Sequence, residues 1–229
     1  MTVQAVILAA GMGTRLGRPW PKPLTPLDDG RTIMQQQIEN LREVFPDVRI
    51  TTVVGFKLEL ILEAFPDVSY AYNENYDQTN TNRSLLKALR IAPEGGVLWM
   101  NGDVVFDPAV LDRCRDLIAA DRSFICVNTA AVAEEEVKYT VDAQGHVDRL
   151  SKTVTDALGE AVGINYVSGS DKAAFIERLA QCADQDYFER GIELMIENDQ
   201  VAVLPLDITD LFAVEVDFEE DLTRANRRG

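Results

Sequence analysis

The chain has 229 residues, 46% of them hydrophobic and 26% charged, enough for one domain with a substantial core. With 22 basic against 38 acidic residues the net charge is −16, which argues against a protein that grips nucleic acid through a basic face. The cysteines (Cys114, Cys126, Cys182) are scattered and His146 is the single histidine, so a disulfide framework, a zinc spacing and a histidine-rich metal site are excluded.

Val3 to Leu8 is an apolar run that stops at Ala9-Ala10-Gly11 and predicts a buried strand feeding a glycine loop. No basic segment precedes it, and no apolar stretch reaches the roughly 18–20 residues of a membrane span, so neither a signal peptide nor a spanning helix is expected. A cytoplasmic location with free thiols follows. Ile33 to Phe45 has helical spacing and breaks at Phe45-Pro46-Asp47-Val48 into a strand over 48–54. The same punctuation recurs at Phe65-Pro66-Asp67-Val68, between a helix over 57–65 and a strand over 68–72. Thr81 or Asn82 can cap a helix over 83–91. A strand over 97–100 ends at Asn101-Gly102-Asp103, Pro108 starts a helix through Ala119, and 124–127 is a further strand. Strand and helix alternate up to about residue 125, which favours a mainly parallel, Rossmann-like sheet in three layers, with helices on both faces.

Beyond that point the pattern changes. Strands over 139–141 and 147–150 flank the turn Asp142-Ala143-Gln144-Gly145, a hairpin signal. A strand over 161–167, helices over 171–182 and 187–196, strands over 201–204 and 212–216 and a helix over 219–226 complete the reading. With no linker or low-complexity stretch, residues 1–229 read as one domain: a core over 1–125 and a small β-rich elaboration over 126–229.

The loop after the first strand reads Gly11-Met12-Gly13-Thr14-Arg15-Leu16-Gly17, with Pro21-Lys22-Pro23-Leu24 close behind. Glycines let backbone N–H groups approach phosphate oxygens. Residues 1–27 carry Arg15, Arg18 and Lys22 and no acid, a positive island in an acidic chain. Gly17 falls one place late for G-x-G-x-x-G, and no G-K-[ST] follows, so neither the dinucleotide fingerprint nor the Walker A loop is present. An isolated G-x-G is more often a plain turn; the stretch from Leu8 to Lys22 is far more specific.

L-A-A-G-x-G-T-R-L followed by P-K-P-L resembles the signature of nucleotidyltransferases that activate phosphorylated sugars or alcohols with an NTP. The resemblance implies the nucleotide-diphospho-sugar transferase fold, with a nucleotide-binding core over 1–125 and an acceptor-binding elaboration over 126–229. It implies that the loop wraps the triphosphate, with Leu8, Ala10, Gly11, Gly13 and Thr14 contacting the nucleotide and Arg15 and Lys22 stabilising its phosphates. It further implies a Gly-Asp after the middle strand and a late Val-Asp reaching one Mg²⁺; Asp103 and Asp217 stand at these positions. Mg²⁺ takes oxygen ligands, usually one or two carboxylates with substrate phosphates. Glu215 alternates to the same face as Asp217, so spacing alone does not separate them, whereas Asp221 is expected on the following helix.

The amide-rich segment from Asn73 to Leu85 resembles that of choline-phosphate and phosphonate cytidylyltransferases, which implies CTP and places Asn80, Asn82 and Ser84 near the nucleotide; by composition alone it is a solvated loop with a helix cap. Lys152 is the candidate for steering the acceptor's phosphate or phosphonate. Tyr187 and Glu189 match the family's aromatic–acid element, and such a pair can hold an ammonium group. The implied reaction is in-line attack on the α-phosphorus of CTP with loss of pyrophosphate, resting on positioning and charge neutralisation. The expected partners are CTP and a small phosphate or phosphonate, such as phosphocholine, 2-aminoethylphosphonate or another phosphonate of cell-surface or antibiotic pathways. Neither nucleic acid nor membrane is expected, and a homodimer stays open. The rivals are a sugar-1-phosphate nucleotidyltransferase using UTP, dTTP or GTP, and a nucleotide-binding module without turnover.

Overall fold

A computed structural model describes residues 2–130, 132 and 136–227. Strand β1 (Gln4–Ala9) is buried on both faces, as expected of a strand covered by helices on each side. Its odd residues Ala5, Ile7 and Ala9 join one core cluster and Val6, Leu8 and Ala10 the other, the two-residue period of a strand. Helix α1 (Ile33–Val44) is capped by the Thr32 side chain, which accepts from Gln35 N at 3.2 Å. Both FPDV corners have one geometry: Phe45 N–H bonds Leu41 O and Phe65 N–H bonds Ile61 O, closing α1 and α2 (Leu58–Ala64) before β2 (Arg49–Val54) and β3 (Ser69–Tyr72) respectively.

The remaining elements are α3 (Thr81–Ile91), β4 (Val97–Asn101), β5 (Val104–Phe106), α4 (Pro108–Ala119), β6 (Phe124–Asn128), β7 (Lys138–Val141), β8 (Val147–Ser151), β9 (Gly159–Val167), α5 (Lys172–Gln181), α6 (Phe188–Asp199), β10 (Leu204–Asp207), β11 (Ala213–Glu215) and α7 (Glu219–Asn226). The main sheet runs β3-β2-β1-β4-β9-β6-β10, with β7 and β8 attached as a hairpin along β9. Its pairs are parallel except those of β9, which lies antiparallel between β4 and β6, and of the hairpin. Helices α1 and α4 pack together, as do α3, α5 and α6. On the α3–α5–α6 side Trp99 is wedged between Phe175 and Phe188, with ring centroids 5.4 and 5.6 Å away.

Three features depart from the sequence expectation. The cap of α3 is Asn80, whose Oδ1 accepts from Thr81 N at 2.8 Å, one residue before the expected caps. Strand β10 begins at Leu204 rather than Val201, because Val203 O is taken by Val147 N and Leu204 N bonds Ser123 O. Pro205 is tolerated in β10 because that strand is the sheet edge. Strand β5 was not expected; it pairs antiparallel with β11, over 213–215 within the anticipated 212–216. This small second sheet carries Asp217 to Asp103: Val216 N bonds Asp103 O at 3.0 Å. Among the described residues no helix is long and apolar enough to cross a membrane.

Candidate active site

Strands β1 and β4 are parallel neighbours, with Leu8 opposite Asn101. Their two following loops therefore open on one edge of the sheet, where open α/β folds bind ligands. Gly102 N bonds Leu8 O at 2.9 Å, and a Cβ at Gly102 would lie 2.6 Å from that oxygen, so only glycine lets the loops meet. Gly13 has φ +57°, and a Cβ there would lie 2.7 Å from Lys22 Cβ. The glycine loop thus closes directly over the Lys22 stem.

Lys22 is 9% exposed. Its Nζ donates to Asp103 Oδ2 at 2.7 Å and to Asp217 Oδ1. Asp217 Oδ2 accepts from Arg15 Nη1 at 2.7 Å. Burial alone would lower the Lys22 pKa, but Asp103 and Asp217 outweigh it and hold it above the ordinary lysine value. Burial pushes Asp217 up, yet Lys22 and Arg15 bring it below the ordinary carboxylate range. Arg15 also lies over the Phe218 ring, 5.9 Å from its centroid, and Arg18 pairs with Glu219. Asp221 accepts from the backbone N of Asp217 and Phe218, so it sets the start of α7, as its position on the last helix implied.

Arg15, Lys22, Asp103 and Asp217 line one end of a cleft of about 500 Å³. Of the residues singled out from sequence, Leu8, Gly11, Gly13, Thr14, Arg15, Lys22, Asn80, Asp103, Lys152, Tyr187, Glu189 and Asp217 all face it. Glu215 does too, with Oε1 accepting from Asn101 Nδ2 at 3.2 Å. Ala10, Asn82 and Ser84 do not line the cleft. Ala10 O accepts from Phe56 N; Asn82 Nδ2 donates to Ala183 O at 2.7 Å; Ser84 Oγ accepts from Asn73 Nδ2 at 3.0 Å. The amide density of this segment ties it to the 183–188 turn: Asn80 N bonds Asp184 O, Gln185 Nε2 bonds Gln78 O, and Phe188 N bonds Thr81 Oγ1. That stitching brings Tyr187 and Glu189 to the cleft.

Sequence reasoning missed Glu136, Asn101, Tyr76, Asp77, Thr79 and Gln185, which also face the cleft. Asn101, beside the Gly-Asp, and Tyr76, Asp77 and Thr79, inside the amide-rich segment, had a local signal; Glu136 and Gln185 had none. At this far end Lys152 Nζ sits over the Tyr187 ring, 5.2 Å from its centroid. Burial raises Glu189 to about 7. Glu136 is raised by burial and then by Glu160 and Asp217, and Glu215 by burial and then by Asp103.

Among the described residues no three His, Cys, Asp or Glu side chains form a metal-binding cluster of their own. Asp103 and Asp217 nonetheless fit a hard divalent ion that completes its shell with phosphate oxygens, because Asp103 Oδ1 is buried with no hydrogen-bond partner.

A glycine loop with paired cations, closed over two convergent carboxylates at the carboxyl edge of a mainly parallel sheet, defines a nucleotidyltransferase. Residues 5–161 match the MobA-like NTP transferase domain, and the chain belongs to that family. It is 40% identical over 121 residues to the CMP-5'-(3-aminopropyl)phosphonate synthase of Streptomyces rubellomurinus, a match covering 48% of this chain and 19% of that protein. It is 32% identical over 226 residues to the bifunctional protein GlmU of Francisella philomiragia, covering 94% of this chain and 49% of that protein. The chain thus spans half or less of the length of these relatives. The CTP:phosphocholine cytidylyltransferase of Streptococcus pneumoniae superposes with a TM-score of 0.73 at 19% identity, covering 100% of this chain and 99% of that one, and shares its fold.

Proposed function

We propose that this chain is a CTP-dependent cytidylyltransferase that moves CMP from CTP to a small phosphate or phosphonate and releases pyrophosphate. The observation that carries the transfer chemistry is Lys22 held between Asp103 and Asp217 beneath the glycine loop. The choice of CTP is supported by the likeness to a CMP-forming phosphonate synthase.

In this reading the acceptor oxygen forms a bond to the α-phosphorus while the α–β bridging P–O bond breaks, its electron pair leaving with pyrophosphate. An ionised acceptor needs no general base, so the residues position and neutralise. Gly11, Gly13 and Thr14 wrap the phosphates, Arg15 and Lys22 stabilise the charge on the departing group, and Lys152 aligns the acceptor. Asp103 and Asp217 would hold Mg²⁺, which when bound supplies further positive charge to the phosphates. Asn80 borders the nucleotide directly, while Asn82 and Ser84 act by holding its segment in place. Residues 1–125 serve the nucleotide and 126–229 the acceptor, with Asp217 returning to the first group.

A sugar-1-phosphate nucleotidyltransferase is the second reading, favoured by the fold the chain shares with a UDP-glucose pyrophosphorylase, TM-score 0.77 over 100% of the chain. Pyrophosphate release measured with CTP, UTP, GTP and dTTP, against 2-aminoethylphosphonate, phosphocholine and a sugar 1-phosphate, separates the two. CTP with a phosphonate or phosphocholine is expected to lead by at least about 10-fold in kcat/KM. Equal rates for all four nucleotides would sink the cytidylyl reading.

A further inference from the structure

Asp103 stands on a turn that is held from three sides. Gly102 N bonds Leu8 O on β1, and Asp103 O accepts from Val216 N just past β11. The third holder is helix α1. Gln37 Nε2 donates to Asn101 O at 2.9 Å and to Val104 O at 2.8 Å, the carbonyls on either side of Gly102-Asp103.

Two more side chains of α1 extend the grip along β5. Val216 N bonds Asp103 O and Asp107 N bonds Phe212 O. Hydrogen-bonded positions alternate in an antiparallel pair, so Val104 and Phe106 turn their backbone groups away from β11. Both residues are fully buried, so those groups need partners. Among the described residues no strand flanks β5 on that side. Gln37 takes Val104 O instead, Asn40 Nδ2 donates to Phe106 O at 2.7 Å, and Gln36 Oε1 accepts from Phe106 N at 3.4 Å. The helix supplies the bonds of a missing neighbour strand.

The Gln37 amide is costly where it stands. The residue is fully buried and its Oε1 has no hydrogen-bond partner. Met34, Ile38, Leu41 and Val44 make the rest of that helix face an apolar stripe. An apolar side chain would avoid the orphaned oxygen. What the amide brings is two N–H donors on one nitrogen, and the turn uses both.

We propose that Gln37 is a positioning residue for the transfer: by holding the carbonyls on both sides of Gly102-Asp103 it fixes how Asp103 stands toward Asp217. This rests on the reading of Asp103 and Asp217 as the pair that receives Mg²⁺. Gln36 and Asn40 hold the far end of β5, which leaves the spacing of the two carboxylates to Gln37.

The test is calorimetric binding of CTP to the full chain with and without Mg²⁺, beside thermal melts. Mg²⁺ is expected to tighten CTP binding in the wild type. Gln37→Met keeps the side chain's length and removes both donors. It is expected to cut that gain about 10-fold, while CTP without Mg²⁺ binds within about 3-fold of wild type. In turnover kcat should fall about 10-fold and the acceptor KM move less than about 3-fold. Asn40→Ala is expected to lower the melting temperature yet keep the Mg²⁺ gain. Gln37→Asn keeps the donors on a shorter stem and is expected to lose part of the gain; it decides the matter should Gln37→Met fail to fold. A full gain in either Gln37 variant, a loss of the same size without Mg²⁺, an equal loss in Asn40→Ala, or an acceptor KM that rises with kcat unchanged overturns the proposal. No Mg²⁺ gain in the wild type overturns the metal reading and the proposal with it. An equal gain with UTP would count against the cytidylyl reading alone.

Discussion

At the glycine-loop end of the cleft Arg15 and Lys22 each meet a carboxylate: Asp217, and the pair Asp103 and Asp217. At the acceptor end Glu136, Glu189 and Glu215 are pushed toward their neutral forms, with Lys152 the nearby cation. Under the proposed function the first arrangement is preorganised: phosphates would enter by exchanging partners with cations already in position, which keeps the reorganisation small. The second is incomplete without a ligand. Under the proposed function the difference would separate chemistry common to all nucleoside triphosphates from the choice of acceptor, with the two set about the same sheet edge.

Breaking the balanced end should have the largest effect. Lys22→Ala removes the cation shared by Asp103 and Asp217, and kcat/KM should fall about 10³-fold or more, the scale of a cation that stabilises a transferring phosphoryl group. Pyrophosphate release with CTP checks this, and a variant within a few-fold of wild type would show that Lys22 is only a counter-ion. Stability gives a second readout. Asp217 is held below its ordinary value of 3.8, so its contribution is present above that pH and is lost as the pH falls through the depressed value. Acid melts of Lys22→Ala should lose part of that decline.

The acidic end predicts the opposite sign. Glu189 is raised from 4.5 to about 7, so the folded state binds an extra proton between those values. Its ionisation therefore costs nothing below pH 4.5, costs progressively more up to about 7, and costs its full amount above. The groups facing it are Lys152, Glu193 and Glu215. Glu189→Gln should raise stability by at most about 3 kcal/mol at pH 8 and by little at pH 4.5, measured by urea unfolding in the free protein. Equal effects at both pH values would mean that Glu189 titrates normally.

The two ends also differ in how far they could be read from sequence. The glycine loop, Lys22 and the Gly-Asp lie close to their strands, so an apolar run and a short motif located them. The meeting of Asp217 with Asp103 depends on β5 pairing with β11, more than 100 residues apart, through two three-residue strands. No period is detectable in a segment that short. Glu136 has no motif and is brought to the cleft only by the hairpin strand that follows it. Asn82 and Ser84 were visible as polar residues in an amide-rich segment, but composition does not tell a side chain that touches a ligand from one that ties two loops together.

Asn82 tests that last distinction, with the smallest expected effect. Its Nδ2 donates to Ala183 O and its Oδ1 accepts from Arg83 N at 2.6 Å, and the residue is fully buried. Asn82→Ala leaves the Ala183 carbonyl without that donor and should cost about 1–3 kcal/mol of stability. Ala183 opens the turn that carries Tyr187 and Glu189, so the kinetic damage should fall on the acceptor KM while the CTP KM moves less than about 3-fold. A larger rise in the CTP KM than in the acceptor KM would return Asn82 to the nucleotide. The balanced end would then extend through the amide segment, and the boundary between the two halves of the cleft would lie at the 183–188 turn rather than at Asn80.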